Sequence, residues 1–131
     1  MNPTTEKCLR KARESLRDAE EIAGINIALH AARLAYQASF HAANALIVEH
    51  TGQVPKTHSG THALFSKLAN EPGGIGRQFS TFLGRAYDYK SRADYEYDGA
   101  VELDELPQIF AMTRALLDAV AAAIDGNPSD P

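Results

Sequence analysis

Apolar positions recur along this chain every three or four residues, the spacing of a helix that buries one side. Leu9, Ala12, Leu16, Ala19 and Ala23 predict a first helix from about Thr5 to Ala23, with Thr4 and Thr5 able to cap it and Gly24 breaking the pattern. Ala32, Ala35 or Tyr36, Phe40, Ala43 and Ile47 predict a second from about Asn26 to His50. Thr51-Gly52 stops it, with Gly52 suited to the left-handed C-terminal position and Pro55 following. The polar turn Pro55-Lys-Thr-His-Ser-Gly-Thr-His62 leads into a third helix of about ten residues carrying Ala63, Leu64, Phe65 and Leu68, which Pro72-Gly73-Gly74 ends. His58 or Ser59 is expected to cap it, and His62 to pack on the second helix. A fourth helix is predicted from about Ile75 to Ser91, with Ile75, Phe79, Phe82, Leu83, Ala86 and Tyr87 as core candidates. After the acidic, aromatic connection Arg92–Gly99, a fifth runs from about Asp104 to Asp125. Its seam is Leu106, Phe110, Thr113, Leu117, Val120 and Ile124, with Pro107 in the tolerant first turn.

No useful stretch alternates with period two, and there are no internal repeats. The expected fold class is therefore all-α, an up-and-down bundle of about five helices over residues 1–125, with 126–131 a disordered tail.

Composition narrows the setting. A chain of 131 residues that is 44% hydrophobic suffices for one core. No apolar run approaches the roughly 18 residues of a membrane span, and Met1 to Arg17 is charged throughout, unlike a signal peptide. Cys8 is the single cysteine, which excludes an internal disulfide framework and a cysteine-rich metal site. These features point to a cytoplasmic protein.

The net charge of −4 argues against a generally basic nucleic-acid binder, but the charge is uneven. Residues 1–52 balance to zero, residues 53–92 carry +4, and residues 93–131 carry −8. The middle segment can hold a local anion site, and it can equally be a set of solvated helix faces.

Three groups of residues bear on chemistry. Asn26, His30, Arg33, Gln37, His41 and Asn44 step by three or four and form a polar stripe on the alanine-rich second helix. Such a stripe faces solvent, a cleft or a partner subunit. His41, His58 and His62 invite a metal reading, but no His-Glu-x-x-His pattern or complete ligand set accompanies them, so neither metal nor cofactor is expected. Ser59, Thr57 and Thr61 lie near histidines without a Gly-x-Ser-x-Gly elbow. In the third group, Arg85, Asp88 or Tyr89, and Arg92 share a helical face, and Tyr95 and Tyr97 follow. Arginine holds phosphate with two prongs and tyrosine stacks on bases, which suits RNA or a nucleotide. The plainer reading has Arg92 pairing with Asp94 or Asp98 to fasten the connection.

Ala35-Tyr-Gln-Ala-Ser-Phe-His-Ala-Ala43, Pro55-Lys-Thr-His-Ser-Gly-Thr-His62, Phe82-Leu-Gly-Arg-Ala-Tyr87 and Arg92-Ala-Asp-Tyr95 occur in this order. Together they resemble the HEPN superfamily (higher eukaryote and prokaryote nucleotide-binding), in its branch of small prokaryotic proteins, over about residues 5 to 124. The resemblance implies a dimer formed through the motif-bearing helices and a companion minimal nucleotidyltransferase, the two making a toxin–antitoxin module. It also implies, for toxic members, a metal-independent ribonuclease whose motif is an arginine followed after four to six residues by a histidine. In some pairs the companion adds adenylate to a tyrosine near that motif. Here Arg92 stands at the arginine, but Tyr97 occupies the histidine position, and a free tyrosine with a pKa near 10 is a poor base at neutral pH.

Three functions are therefore weighed. The first is a homodimeric HEPN component of a two-protein module that binds a nucleotidyltransferase and RNA or nucleotide. The second is an endoribonuclease toxin; the third is a catalytically silent subunit. The candidate catalytic residues are Arg92, Tyr97 and His41. The candidate RNA- or nucleotide-binding residues are Arg85, Arg92, Tyr95, His58 and His62, and adenylation is expected on Tyr95 or Tyr97.

Overall fold

The computed structural model describes residues 2–24, 28–95 and 105–126, and the side chains of all of these except 21–24, 28, 29 and 92–95. Five helices form an all-α bundle, and no strand occurs among the described residues: α1 Pro3–Gly24, α2 Ala28–Thr51, α3 His58–Asn70, α4 Arg77–Tyr95 and α5 Leu106–Asp125.

α2 is the axis of the bundle and touches all four other helices. Its composition explains this. Ala31, Ala32, Ala35, Ala38, Ala42, Ala43 and Ala45 are all fully buried, and their short side chains let neighbours approach from several directions. Larger groups, Leu46, Ile47 and Val48, fill the core near its C-terminal end. α1 covers α2 with Leu9, Ala12, Leu16 and Ala19 of the predicted stripe, whose fifth member, Ala23, has its side chain outside the described residues. α5 buries Leu106, Ile109, Thr113, Leu116, Leu117, Val120 and Ile124. Phe110, placed in the predicted seam, is only half-buried, and the buried path passes instead through Ile109 and Leu116. Contrary to the expectation that no apolar run reaches membrane-spanning length, α5 is long and apolar enough by length and composition to cross a membrane. In this bundle it packs mainly on α2.

Turn chemistry sets the helix ends. Gly52, at φ 80°, donates its N–H to the Val48 carbonyl at 2.8 Å, the left-handed stop expected for α2. α3 is capped by Thr57, whose hydroxyl accepts the Gly60 N–H at 2.9 Å; neither His58 nor Ser59 is the cap. α1 begins earlier than predicted. Asn2 Oδ1 accepts the Thr4 N–H at 2.8 Å, whereas Thr5 is buried and its hydroxyl has no partner among the described residues. Between α3 and α4 the chain folds back tightly on itself. A Cβ on Gly74 would lie 2.5 Å from the Leu68 carbonyl oxygen, so only glycine fits there.

Candidate functional site

Where α3 and α4 cross the first half of α2, four aromatic and imidazole side chains gather round a buried phenol. Tyr36 of α2 is 2% exposed, and its hydroxyl lies 3.0 Å from His58 Nδ1 and 3.0 Å from His62 Nε2. The two histidines are four residues apart, so one turn of α3 aims both rings at one atom of α2. Thr57 fixes the start of that turn and therefore the height of His58.

The rings are also held by stacking. His58 lies flat on Phe40, with centroids 4.3 Å apart and planes 13° from parallel. Tyr87 of α4 meets Tyr36 edge-on at 5.5 Å and His62 edge-on at 5.6 Å. Lys90 Nζ stands 5.9 Å from the Tyr87 ring centroid. His58, Ser59, His62 and Tyr87 line a hollow of about 340 Å³ over this cluster. That is within the roughly 300–1,000 Å³ of small-ligand sites.

Burial governs the protonation states. It pushes the Tyr36 phenol well above its ordinary value, and the neighbouring Tyr87 adds to this, so Tyr36 remains a neutral hydroxyl. Burial lowers His62, and a charge on nearby His58 would lower it further. His62 is thus a neutral imidazole at neutral pH.

The other candidates are spread out. His41 is half-buried and faces α1; burial lowers its pKa, with Lys11 adding to the effect. It touches Phe40 edge-on at 6.0 Å but forms no contact with His58 or His62 among the described residues. Arg85 is exposed and lies against α5, beside Phe82, Tyr89, Gln108, Ile109 and Met112. Two residues of helix rotate by about 200°, so Arg85 and Tyr87 point to opposite sides of α4. The backbone of Arg92 and Tyr95 ends α4, while their side chains, and all of Tyr97, lie outside the described residues. Among the described residues no three His, Cys, Asp or Glu groups converge as a metal site.

The polar stripe on α2 divides. His30 and Gln37 are exposed and Arg33 is half-buried, but Asn44 is 4% exposed and accepts the Thr61 hydroxyl at 2.8 Å. The sequence pattern places Tyr36, Phe40 and Tyr87 on apolar, core-facing positions. Tyr87 is 40% exposed and forms a wall of the hollow. Its signal was the charged company it keeps, Arg85, Asp88 and Lys90, which is unusual for a core stretch.

Comparison with known proteins agrees with the helical architecture. A model of the HEPN domain matches residues 5–123. An archaeal protein described only as a UPF0332 protein, from Archaeoglobus fulgidus, is 28% identical over 119 residues, covering 91% of this chain and 94% of the relative. A protein of Methanocaldococcus jannaschii named as a putative toxin is 28% identical over 99 residues, covering 75% of this chain and 65% of the relative's own length. With the match extending over nearly every helix, the chain belongs to the HEPN domain family.

Proposed function

We propose that this chain is the HEPN component of a cytoplasmic toxin–antitoxin-type module, a homodimer that binds RNA or a nucleotide and pairs with a minimal nucleotidyltransferase. The observation that carries the nucleic-acid part is the hollow walled by His58, His62 and Tyr87 over Tyr36. Flat rings offer stacking surfaces to an unpaired base, and imidazole edges offer hydrogen bonds to it. Lys90 beside Tyr87 favours a phosphate at the edge of this hollow. Similarity to the relative named as a putative toxin supports the toxin role within the pair. Arg92 and Tyr95 are proposed as further RNA contacts, Arg85 would be a separate contact on the α5 side of α4, and Tyr95 or Tyr97 is the proposed acceptor of adenylate.

A second reading, a metal-independent endoribonuclease, is favoured by the neutral state of His62, because a neutral imidazole accepts a proton at physiological pH. This shifts the proposed chemistry from Arg92, Tyr97 and His41 towards α3.

The test is binding of short single-stranded RNA of mixed sequence to the wild type and to Tyr87→Ala, across a salt series. Binding that weakens with salt and is lost in Tyr87→Ala supports the proposal. Equal binding by both proteins, or none by either, refutes the placement or the activity respectively. Co-expression with a neighbouring nucleotidyltransferase, read by co-purification and intact mass, tests the partner.

A further inference from the structure

Tyr36 is shared by two histidines that approach it through different nitrogens, Nδ1 of His58 and Nε2 of His62. A hydroxyl has one hydrogen to give. Both rings cannot therefore accept from Tyr36. If both donated to it, the Tyr36 O–H, on a residue 2% exposed, would have no acceptor here, the costlier arrangement. One ring accepts and the other donates.

The choice of nitrogens then fixes both tautomers together. When Tyr36 donates to His58 Nδ1, His58 carries its proton on Nε2, and His62 donates through Nε2–H. When Tyr36 donates to His62 Nε2, both rings carry the proton on Nδ1. In either case the rings hold the same tautomer, and their remaining nitrogens have opposite characters, one N–H and one bare lone pair. Neither ring forms a further hydrogen bond among the described residues, and both rings line the hollow.

We propose that His58 and His62 form a proton-donor and proton-acceptor pair, coupled through the Tyr36 hydroxyl, that acts on an RNA 2′-hydroxyl and the adjoining phosphodiester bound in this hollow. This rests on the RNA-binding reading above and gives the ribonuclease alternative its residues. In the Nε2–H state, His62 Nδ1 takes the proton of the 2′-hydroxyl as its oxygen attacks phosphorus. The bond from phosphorus to the 5′-oxygen breaks, and His58 Nε2–H protonates that leaving oxygen. The products are a 2′,3′-cyclic phosphate and a 5′-hydroxyl. A neutral imidazole is too weak an acid to part with that proton alone, so the transfer is concerted: as the His58 Nε2 proton leaves, Tyr36 gives its proton to His58 Nδ1 and takes the His62 Nε2 proton. The relay leaves both rings neutral, in the Nδ1–H state. The next turnover runs with their roles exchanged. No metal, oxidant or cofactor is needed. His58 and His62 are the catalytic residues in this scheme, and Tyr36 positions and couples them.

The experiment combines two measurements. Ring 15N shifts, assigned with His58→Gln and His62→Gln, report which nitrogen of each histidine carries the proton. Binding and cleavage are followed with single-stranded RNA of mixed sequence, with DNA of the same sequence as control. The expected result is matched tautomers in the wild type, loss of matching in Tyr36→Phe, and RNA cut to cyclic phosphate ends while DNA stays intact. His58→Gln and His62→Gln should each bind RNA but lose roughly 100-fold or more in rate, the usual scale of acid–base catalysis. Tyr36→Phe should lower kcat with KM little changed. Opposite tautomers in the wild type, or RNA bound but not cut, overturn the inference and leave the binding reading standing. Absence of RNA binding overturns the binding reading and the inference with it. Full cleavage by both Gln variants assigns the chemistry elsewhere.

Discussion

Adjacent residues of α3 reach α2 in contrasting ways. Thr61, fully buried, gives its hydroxyl to Asn44, which is 4% exposed. His62 and its helical neighbour His58 reach Tyr36, and both remain open on their other side to a hollow. The first contact is closed: water does not reach it, and its polar atoms exist to satisfy one another. The second leaves hydrogen-bonding capacity over. Polar residues at one helix interface thus divide into a pair that specifies packing and a cluster that can meet a ligand, and the division is set by access, not by residue type.

The sharpest way to break this contrast is Thr61→Val. It keeps the shape and strands the buried Asn44 amide, so stability should fall by about 1–3 kcal/mol. The urea midpoint should drop without a change in slope, and RNA binding by the folded protein should be unchanged. A folded Thr61→Val that no longer binds RNA would erase the distinction. Tyr36→Phe should cost less, about 0.5–1.5 kcal/mol, because exposed His58 can turn to water once the hydroxyl is gone. Its main effect should appear in turnover.

Acidification probes the burial of the imidazoles. Burial lowers His62 and His41 below the ordinary 6.5 in the folded state. Below that value the unfolded chain binds protons that the folded chain excludes, so stability should decline as pH falls through 6.5 and stay level above it. Denaturation curves for the wild type and His41→Gln check this, and the variant should show the shallower decline. The smallest effect belongs to Arg114→Ala. Its bond to Glu20 is 2.8 Å long, but the two side chains are 52% and 42% exposed. A loss of roughly 0–1 kcal/mol is expected, read as a slight shift in midpoint.

The helices were legible because burial on α1 and α5 leaves a mark at every third or fourth position. Leu9, Ala12, Leu16 and Ala19 are buried as their spacing requires. α2 was harder, since an alanine-rich helix contacted from several sides has no single apolar face, and Asn44 looked like part of a solvent stripe. The site was half legible. His58 and His62 stand out by their spacing of four. Tyr36 does not, because it lies 22 and 26 residues away and only the crossing of α2 and α3 brings it to them. Tyr87 has the spacing of a core residue, and aromatic residues at helical spacing usually pack inside. Here α4 turns that ring outward to form a wall of the hollow.

The alanines of α2 also set the direction in which this protein can drift. A core helix built from leucine loses stability by truncation, through cavities. Ala35, Ala38, Ala42, Ala43 and Ala45 have almost nothing to truncate, and exchange for glycine costs only about 1 kcal/mol of helix propensity each. Enlargement is the damaging change, since every added methylene meets a neighbouring helix at close range, typically at about 1–3 kcal/mol. Mutational tolerance along α2 is therefore one-sided. A saturation scan should show small residues accepted and branched or aromatic ones rejected at these five positions, a ceiling on side-chain volume in place of the floor that guards most cores.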